Sequence, residues 1–121
     1  ASAKDDRSGR PPFILGTPEK FDAVIAAPEN HVVVFENGKV RVIKVIIRPG
    51  EIENMHTHRW PSVFIVTSFP DLNYYTEDGT PHPRTGSRKE GVPTWIDPEG
   101  IHAVENVDDR LFEGIRIELK D

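Results

Sequence analysis

From His31 to the C-terminus the chain runs in short β-branched stretches broken by Gly, Pro, Asn and Asp. HVVVFENGKVRVIKVIIRPGE carries Asn37-Gly38 at its centre, the dipeptide that best supplies a tight hairpin with φ > 0, and so predicts two antiparallel strands. Pro49-Gly50 is the next turn. SVFIVTSF is too short for a free-standing helix and rich in Val, Ile and Phe, which predicts a strand buried on both faces. LNYYTEDGTP opens another hairpin, PHPRTGSRKEG is a polar loop, VPTWI a strand and DPEG a turn. IHAVENV and LFEGIRIELK then alternate with period two, which puts Ile115, Ile117 and Leu119 on one face and Arg116 and Glu118 on the other. Many short strands at this spacing predict an all-β fold, a small barrel or double-sheet jelly roll.

Ahead of the strands, TPEKFDAVIAAPEN predicts a short N-terminal helix, with Thr17 as N-cap, Pro18 at the first helical position and Pro28 as the stop. Residues 1–12 are small, charged or Pro and read as a flexible arm, with Phe13, Ile14 and Leu15 docked behind it. A length of 121 residues then fits one domain over 13–121.

The net charge of −5 is spread without long runs of either sign, and Lys and Arg do not cluster with aromatics, so nucleic acid is a poor expectation. No apolar stretch approaches the roughly 20 residues that cross a bilayer, and the first residues lack the apolar core of a leader. The expectation is a soluble, cytoplasmic chain, or a periplasmic one if a leader has been removed. The absence of cysteine excludes disulfides, thiolate metal sites and a Cys nucleophile. Histidine and carboxylate must carry any metal chemistry.

Strand geometry projects residues i and i+2 to one face, so His56 and His58 point together, with Asn54 beside them. Two imidazoles at that spacing can share one ion at about 2.0 to 2.1 Å from each nitrogen. His102 follows the turn at Pro98-Glu99-Gly100 on a second strand, four residues before Asn106. Asn106 itself is better placed to hydrogen-bond a turn after that strand.

These residues resemble the two motifs of the cupin superfamily. Gly50, EIENM, His56, Thr57 and His58 fit the first half of its first motif without a gap. Gly91, Pro98, Gly100, His102 and Asn106 fit the second motif with one extra residue before Pro98 and one fewer after Gly100. The resemblance covers roughly residues 31 to 119. It implies a double-stranded β-helix barrel, commonly paired as a homodimer, with a divalent metal in its interior. The family's usual glutamate ligand would fall at Ser62 or Val63, and the glycine after it is missing from TSFPDL. By resemblance the ligands are therefore His56, His58 and His102 with no carboxylate. Neutral ligands leave a divalent ion its full charge as a Lewis acid and leave positions open for substrate.

Two classes of function follow. One is a metal-dependent enzyme for a small oxo, hydroxy or keto compound, of dioxygenase type with iron or of isomerase or lyase type with zinc, manganese or nickel. Tyr74, Tyr75 or a loop carboxylate would supply its acid or base. The other is a non-catalytic module holding a small ligand or a structural metal. Phe64, Met55 or Trp60, Tyr74 or Tyr75, and Trp95 are candidates for the pocket wall. Arg48, Arg59 and Arg116 are candidates for binding a substrate carboxylate. His31 and His82 lie in turn-like segments and read as surface residues, and the parity of Glu51 and Glu53 turns them away from the histidine face.

Overall fold

Two antiparallel sheets face one another in the computed structural model, which describes residues 10–87 and 91–120. The strands are β1 (His31–Glu36), β2 (Val40–Ile47), β3 (His56–His58), β4 (Ser62–Ser68), β5 (Leu72–Thr76), β6 (Pro81–Arg84), β7 (Pro93–Ile96), β8 (Glu99–Asn106) and β9 (Phe112–Leu119). One sheet has the order β1-β2-β9-β4-β7 and the other β3-β8-β5-β6. Each sheet thus mixes strands from both halves of the chain, and His56 pairs directly with His102 across β3 and β8.

Several local expectations hold. The β1–β2 and β5–β6 hairpins form where the turns predict them. Gly50 has φ 79°, and the Glu51 amide donates to the Arg48 carbonyl, which makes Pro49-Gly50 a turn that requires glycine. Asn106 is buried, and its amide donates to the carbonyls of Ile47 and Arg110 while its oxygen accepts from the Asp108 amide, locking the turn after β8.

Others are corrected. The Asn37-Gly38 turn is closed by the Asn37 side chain, which accepts from the amides of Lys39 and Val40, and Gly38 does not take positive φ. The helical segment divides into a single 3₁₀ turn at Glu19–Phe21 and a four-residue α-helix, α1, at Ala23–Ala26. The Thr17 hydroxyl does not cap it but donates to the Ile14 carbonyl. PHPR belongs to strand β6, not to a loop, and Glu99 and Gly100 already lie in β8. β4 is half-buried along most of its length, not buried on both faces. Ile14 and Leu15 are exposed, not docked. Residues 1–9 of the expected arm lie outside the described residues; Pro12 bridges to Glu99, and the Gly100 amide donates to the Pro11 carbonyl.

The core lies between the sheets and is of two kinds. Ile43, Val45, Ile47, Leu72 and Phe112 form an apolar cluster, each side chain stabilising the fold by about 1.5 to 3 kcal/mol through burial. β2 buries Arg41, Ile43, Val45 and Ile47, whereas β9 buries Phe112, Gly114, Arg116 and Glu118. The alternation along β9 is therefore present, but its charged face is the inner one, and Ile115, Ile117 and Leu119 are half-buried on the other side. An interior that takes in Arg, Glu and His must satisfy them with one another.

Candidate metal centre

Four of the chain's five histidines meet inside the barrel: His31 at the start of β1, His56 and His58 on β3, and His102 on β8, all buried. His31 corrects the surface expectation, because its turn-like flank hid that it begins a strand facing inward. His82 is half-buried on β6, opposite Tyr74. The ring centroids of His56 and His102 are 4.5 Å apart, those of His56 and His58 5.0 Å, and those of His58 and His102 5.4 Å. His31 lies 4.5 Å from His56 and 5.4 Å from His58. With metal–nitrogen bonds of about 2.0 to 2.1 Å, two rings on one ion have centroids about 4.5 Å apart at a right angle and about 5.2 Å at the tetrahedral angle. The spacings from His56 to His31, His58 and His102 fall in that range, and the two 5.4 Å spacings of His58 to His31 and His102 lie slightly beyond it.

The rings are also oriented for ligation. Nδ1 of His56 lies 2.7 Å from the Asn54 carbonyl, Nδ1 of His102 2.7 Å from the Gly100 carbonyl, and Nδ1 of His31 3.0 Å from the Ala27 carbonyl. A carbonyl only accepts, so each Nδ1 carries the proton and donates it, leaving the Nε2 lone pair free. Nδ1 of His58 lies 3.4 Å from Oε2 of Glu118. Glu118 is in turn bound by the Nε of Arg41, whose other nitrogens hold Asp22 at 2.8 and 3.0 Å. Burial pushes the pKa of His31 down to about 4 and those of His56 and His58 well below the ordinary range. Burial lowers His102 too, against the opposing pull of Glu99. All four rings are therefore neutral near pH 7, the form that ligates. Two overlapping groups have ligand atoms within 4.8 Å of one another: His31, His56 and His58, and His58, Glu99 and His102.

Two buried carboxylates flank the cluster. Glu99 accepts from Nη2 of Arg116 at 2.8 Å and from the Tyr74 hydroxyl at 2.8 Å, and Nη1 of Arg10 lies 3.4 Å away. Burial opposes its charge, but His102, Arg116 and Arg10 outweigh burial and hold Glu99 well below the ordinary carboxylate range. Glu53 sits between His31 and His56, an oxygen 3.6 Å from Nε2 of each. Burial and the charge of Glu99 push it well above the ordinary range. Its parity misled because residues 53–55 are not in regular strand, so alternation does not carry from His56 back to Glu53. Glu51 is half-buried and pairs with Arg48. Asn54 is exposed and reaches the Ala26 carbonyl.

The histidines form the polar end of a cavity of about 560 Å³ whose other walls include Phe64, Phe69 and Phe112. Tyr74 lines it, stacked on His102 at 4.9 Å with planes 4° apart. Burial and Glu99 raise the Tyr74 pKa, so the phenol keeps its proton. Tyr75, the next residue on β5, faces away from the cavity and donates to Glu105 at 2.7 Å. Among the other expected wall residues, Met55 and Trp60 are outside the lining, and Trp95 is 41% exposed. Arg116 lines the cavity with its Nε donating to the Ser62 hydroxyl at 3.0 Å, so Ser62, one of the two positions where the cupin resemblance expects a glutamate, holds an arginine instead. Arg48 is exposed, and Arg59 stacks over Trp60 away from the cavity.

Solved structures of the same architecture exist. A cupin domain from Bordetella pertussis is 22% identical with a TM-score of 0.63, covering 93% of this chain and 97% of that one. This is the cupin fold. A double-stranded β-helix protein from Klebsiella pneumoniae is 20% identical with a TM-score of 0.54, covering 74% of this chain and 70% of that one. An RmlC-like cupin family protein from Methanocaldococcus jannaschii is 16% identical with a TM-score of 0.53, covering 74% and 77%. No family model and no curated protein matches the chain. Among the described residues, no helix is long and apolar enough to cross a membrane.

Proposed function

We propose that this cupin is a metal-dependent small-molecule protein that holds one divalent ion on His56, His58 and His102 and acts as an enzyme on a small oxo, hydroxy or keto compound. One observation carries the reading: the rings of His56, His58 and His102 lie together in the barrel, and each turns Nδ1 toward an acceptor behind it, which leaves Nε2 facing the interior. The bound ion would polarise a chelated oxygen of the substrate, or with iron activate dioxygen beside it.

The chain's own residues define what enters. A cavity of about 560 Å³ suits a compact ligand, and Phe64, Phe69 and Phe112 would pack its apolar part and exclude water. Arg116, fixed by Glu99 and Ser62, places positive charge beside the polar end for an anionic substrate group. Tyr74 holds its proton and serves as a hydrogen-bond or proton donor, whereas Tyr75 lies away from the cavity and has no such part. The chemistry is of dioxygenase type with iron, or of isomerase or lyase type with zinc, manganese or nickel. We also propose a homodimer joined at the β1 edge, where Val32, Val34 and Phe35 are at least half exposed.

The test is a turnover screen of small keto and hydroxy acids with protein loaded with each of the four metals, followed by oxygen uptake and product analysis. Turnover that is lost on chelation and reduced in Tyr74→Phe supports the enzyme. Tight ligand binding without turnover under every metal makes the chain a binding module instead.

A further inference from the structure

Of Ser62 and Val63, the two positions where the resemblance puts the glutamate, Ser62 is the fully buried one and is bound to Arg116, yet the cluster is not without a carboxylate. Of the two buried ones, Glu99 has a donor on each oxygen, Arg116 and Tyr74, and also faces Nε2 of His102 at 3.6 Å. Glu53 is the opposite case. Its side chain is 2% exposed, and its Oε2 has no hydrogen-bond partner among the described residues. That oxygen faces Nε2 of His31 at 3.6 Å, and Oε1 faces Nε2 of His56 at 3.6 Å. Both of those nitrogens are lone pairs, because the Nδ1 atoms of the two rings are committed as donors to the carbonyls of Ala27 and Asn54. Burial keeps the Glu53 carboxyl protonated in the metal-free chain, so one of its oxygens can donate to one of the two ring nitrogens, but the remaining acceptors stay unpaired in a dry interior unless a cation displaces that proton.

We propose that Glu53 and His31 are metal ligands, and that together they replace the glutamate missing at Ser62. The inference rests on the histidine-bound metal of the preceding section. Two ligand atoms about 2.0 to 2.1 Å from one ion lie about 2.9 Å apart at a right angle and about 3.4 Å at the tetrahedral angle. The 3.6 Å separations therefore need only a slight contraction on binding. His31 also belongs to the compact group with His56 and His58. The two residues reach the site from separate elements. His31 opens β1, directly after the α1 turn whose Ala27 carbonyl fixes its ring. Glu53 comes from the segment that the Ile52–Glu105 bridge and the Glu53 amide bond to the Val104 carbonyl fasten to β8. A carboxylate supplied ahead of His56 offsets one positive charge of the ion, which favours hard divalent metals more than three imidazoles alone would.

The experiment is Co²⁺ titration of the metal-free full chain, followed by calorimetry and by visible absorption, for wild type, Glu53→Gln, His31→Gln and a His82→Gln control. Thermal unfolding without metal is recorded for each. The expected result is that Glu53→Gln and His31→Gln each weaken Co²⁺ by more than the roughly tenfold to hundredfold that loss of a ligand's hydrogen-bond partner costs. Their visible bands shift, while His82→Gln matches wild type. Metal-free Glu53→Gln melts close to wild type, because the amide can donate to the same lone pairs as the protonated carboxyl. Wild-type Co²⁺ affinity and spectrum in Glu53→Gln and His31→Gln overturn the inference and leave the three-histidine site standing. A metal-free Glu53→Gln that does not fold also overturns it, since Glu53 is then a structural group. A wild type that binds no Co²⁺ removes the metal reading and this inference together.

Discussion

At the residue scale, the interior is organised by side chains that hold other side chains. Arg41 binds Asp22 and Glu118, and Glu118 backs His58. Its guanidinium is almost wholly buried; although burial opposes its charge, the two carboxylates hold it charged. Arg41→Ala should therefore cost about 3 to 5 kcal/mol, because it strands two buried carboxylates. Urea unfolding of the metal-free protein measures this; a loss under about 1 kcal/mol would mean water reaches the network. The histidines make a second prediction. His31 is faced by Glu53, Asp22, Arg116, His56 and His102, and its folded pKa of about 4 lies below its reference of 6.5. The unfolded chain thus takes up a proton that the folded chain refuses. Stability should be flat above pH 6.5 and fall as pH drops toward about 4, by about 1.4 kcal/mol per pH unit for this ring alone. His56 and His58 steepen the slope. Glu53 and Glu118, which burial raises above the ordinary carboxylate range, act in the opposite sense. Denaturant titrations at pH 7 and pH 5 therefore compare wild type with His31→Gln; the same pH dependence in both contradicts a neutral buried His31. The pairing of His56 with His58 was legible from spacing, since i and i+2 share a strand face. Glu53 was not, because parity applies only inside a regular strand and residues 53–55 lie outside one.

At the element scale, strands are recognised by period, but the period does not say which face is inside. β9 alternates as its sequence predicts and turns Arg116 and Glu118 inward, because those charges have partners, Arg41 on the neighbouring β2 and Glu99 on β8 of the facing sheet. β6 escaped detection for a different reason. Prolines at 81 and 83 argue against a central strand, but β6 is at the edge of its sheet, where missing amide donors leave no ladder bond unmade. The approach of the N-terminal segment to β8 depends on a glycine. A Cβ on Gly100 would lie 2.6 Å from the Pro12 carbonyl oxygen. Gly100→Ala should therefore displace residues 11–13 from β8, at about 1 to 3 kcal/mol. Faster hydrogen exchange of the Phe13 amide, which donates to the Pro98 carbonyl, reports this; unchanged protection would show that the strand shifts instead.

At the scale of the whole molecule, the two-sheet architecture follows from strand number and turn spacing, and the cupin resemblance places the two motifs on paired strands. The part played by His31 needed the tertiary fold, because β1 reaches the site through pairing with β2 and not through any local motif. The same strand is a sheet edge with exposed Val32, Val34 and Phe35, a surface that soluble chains usually cover. Sedimentation should show a dimer that Val34→Lys converts to monomer; a monomeric wild type at micromolar concentration contradicts the β1 contact.

The central claim is that the imidazoles hold a metal, and elemental analysis of protein purified without a His-tag tests it most directly, beside a His102→Ala variant handled identically. The account predicts near-stoichiometric divalent metal in wild type and its loss in His102→Ala with the fold retained. A wild type that carries no metal and takes up none on titration would contradict it, leaving the histidines as polar lining of a ligand pocket.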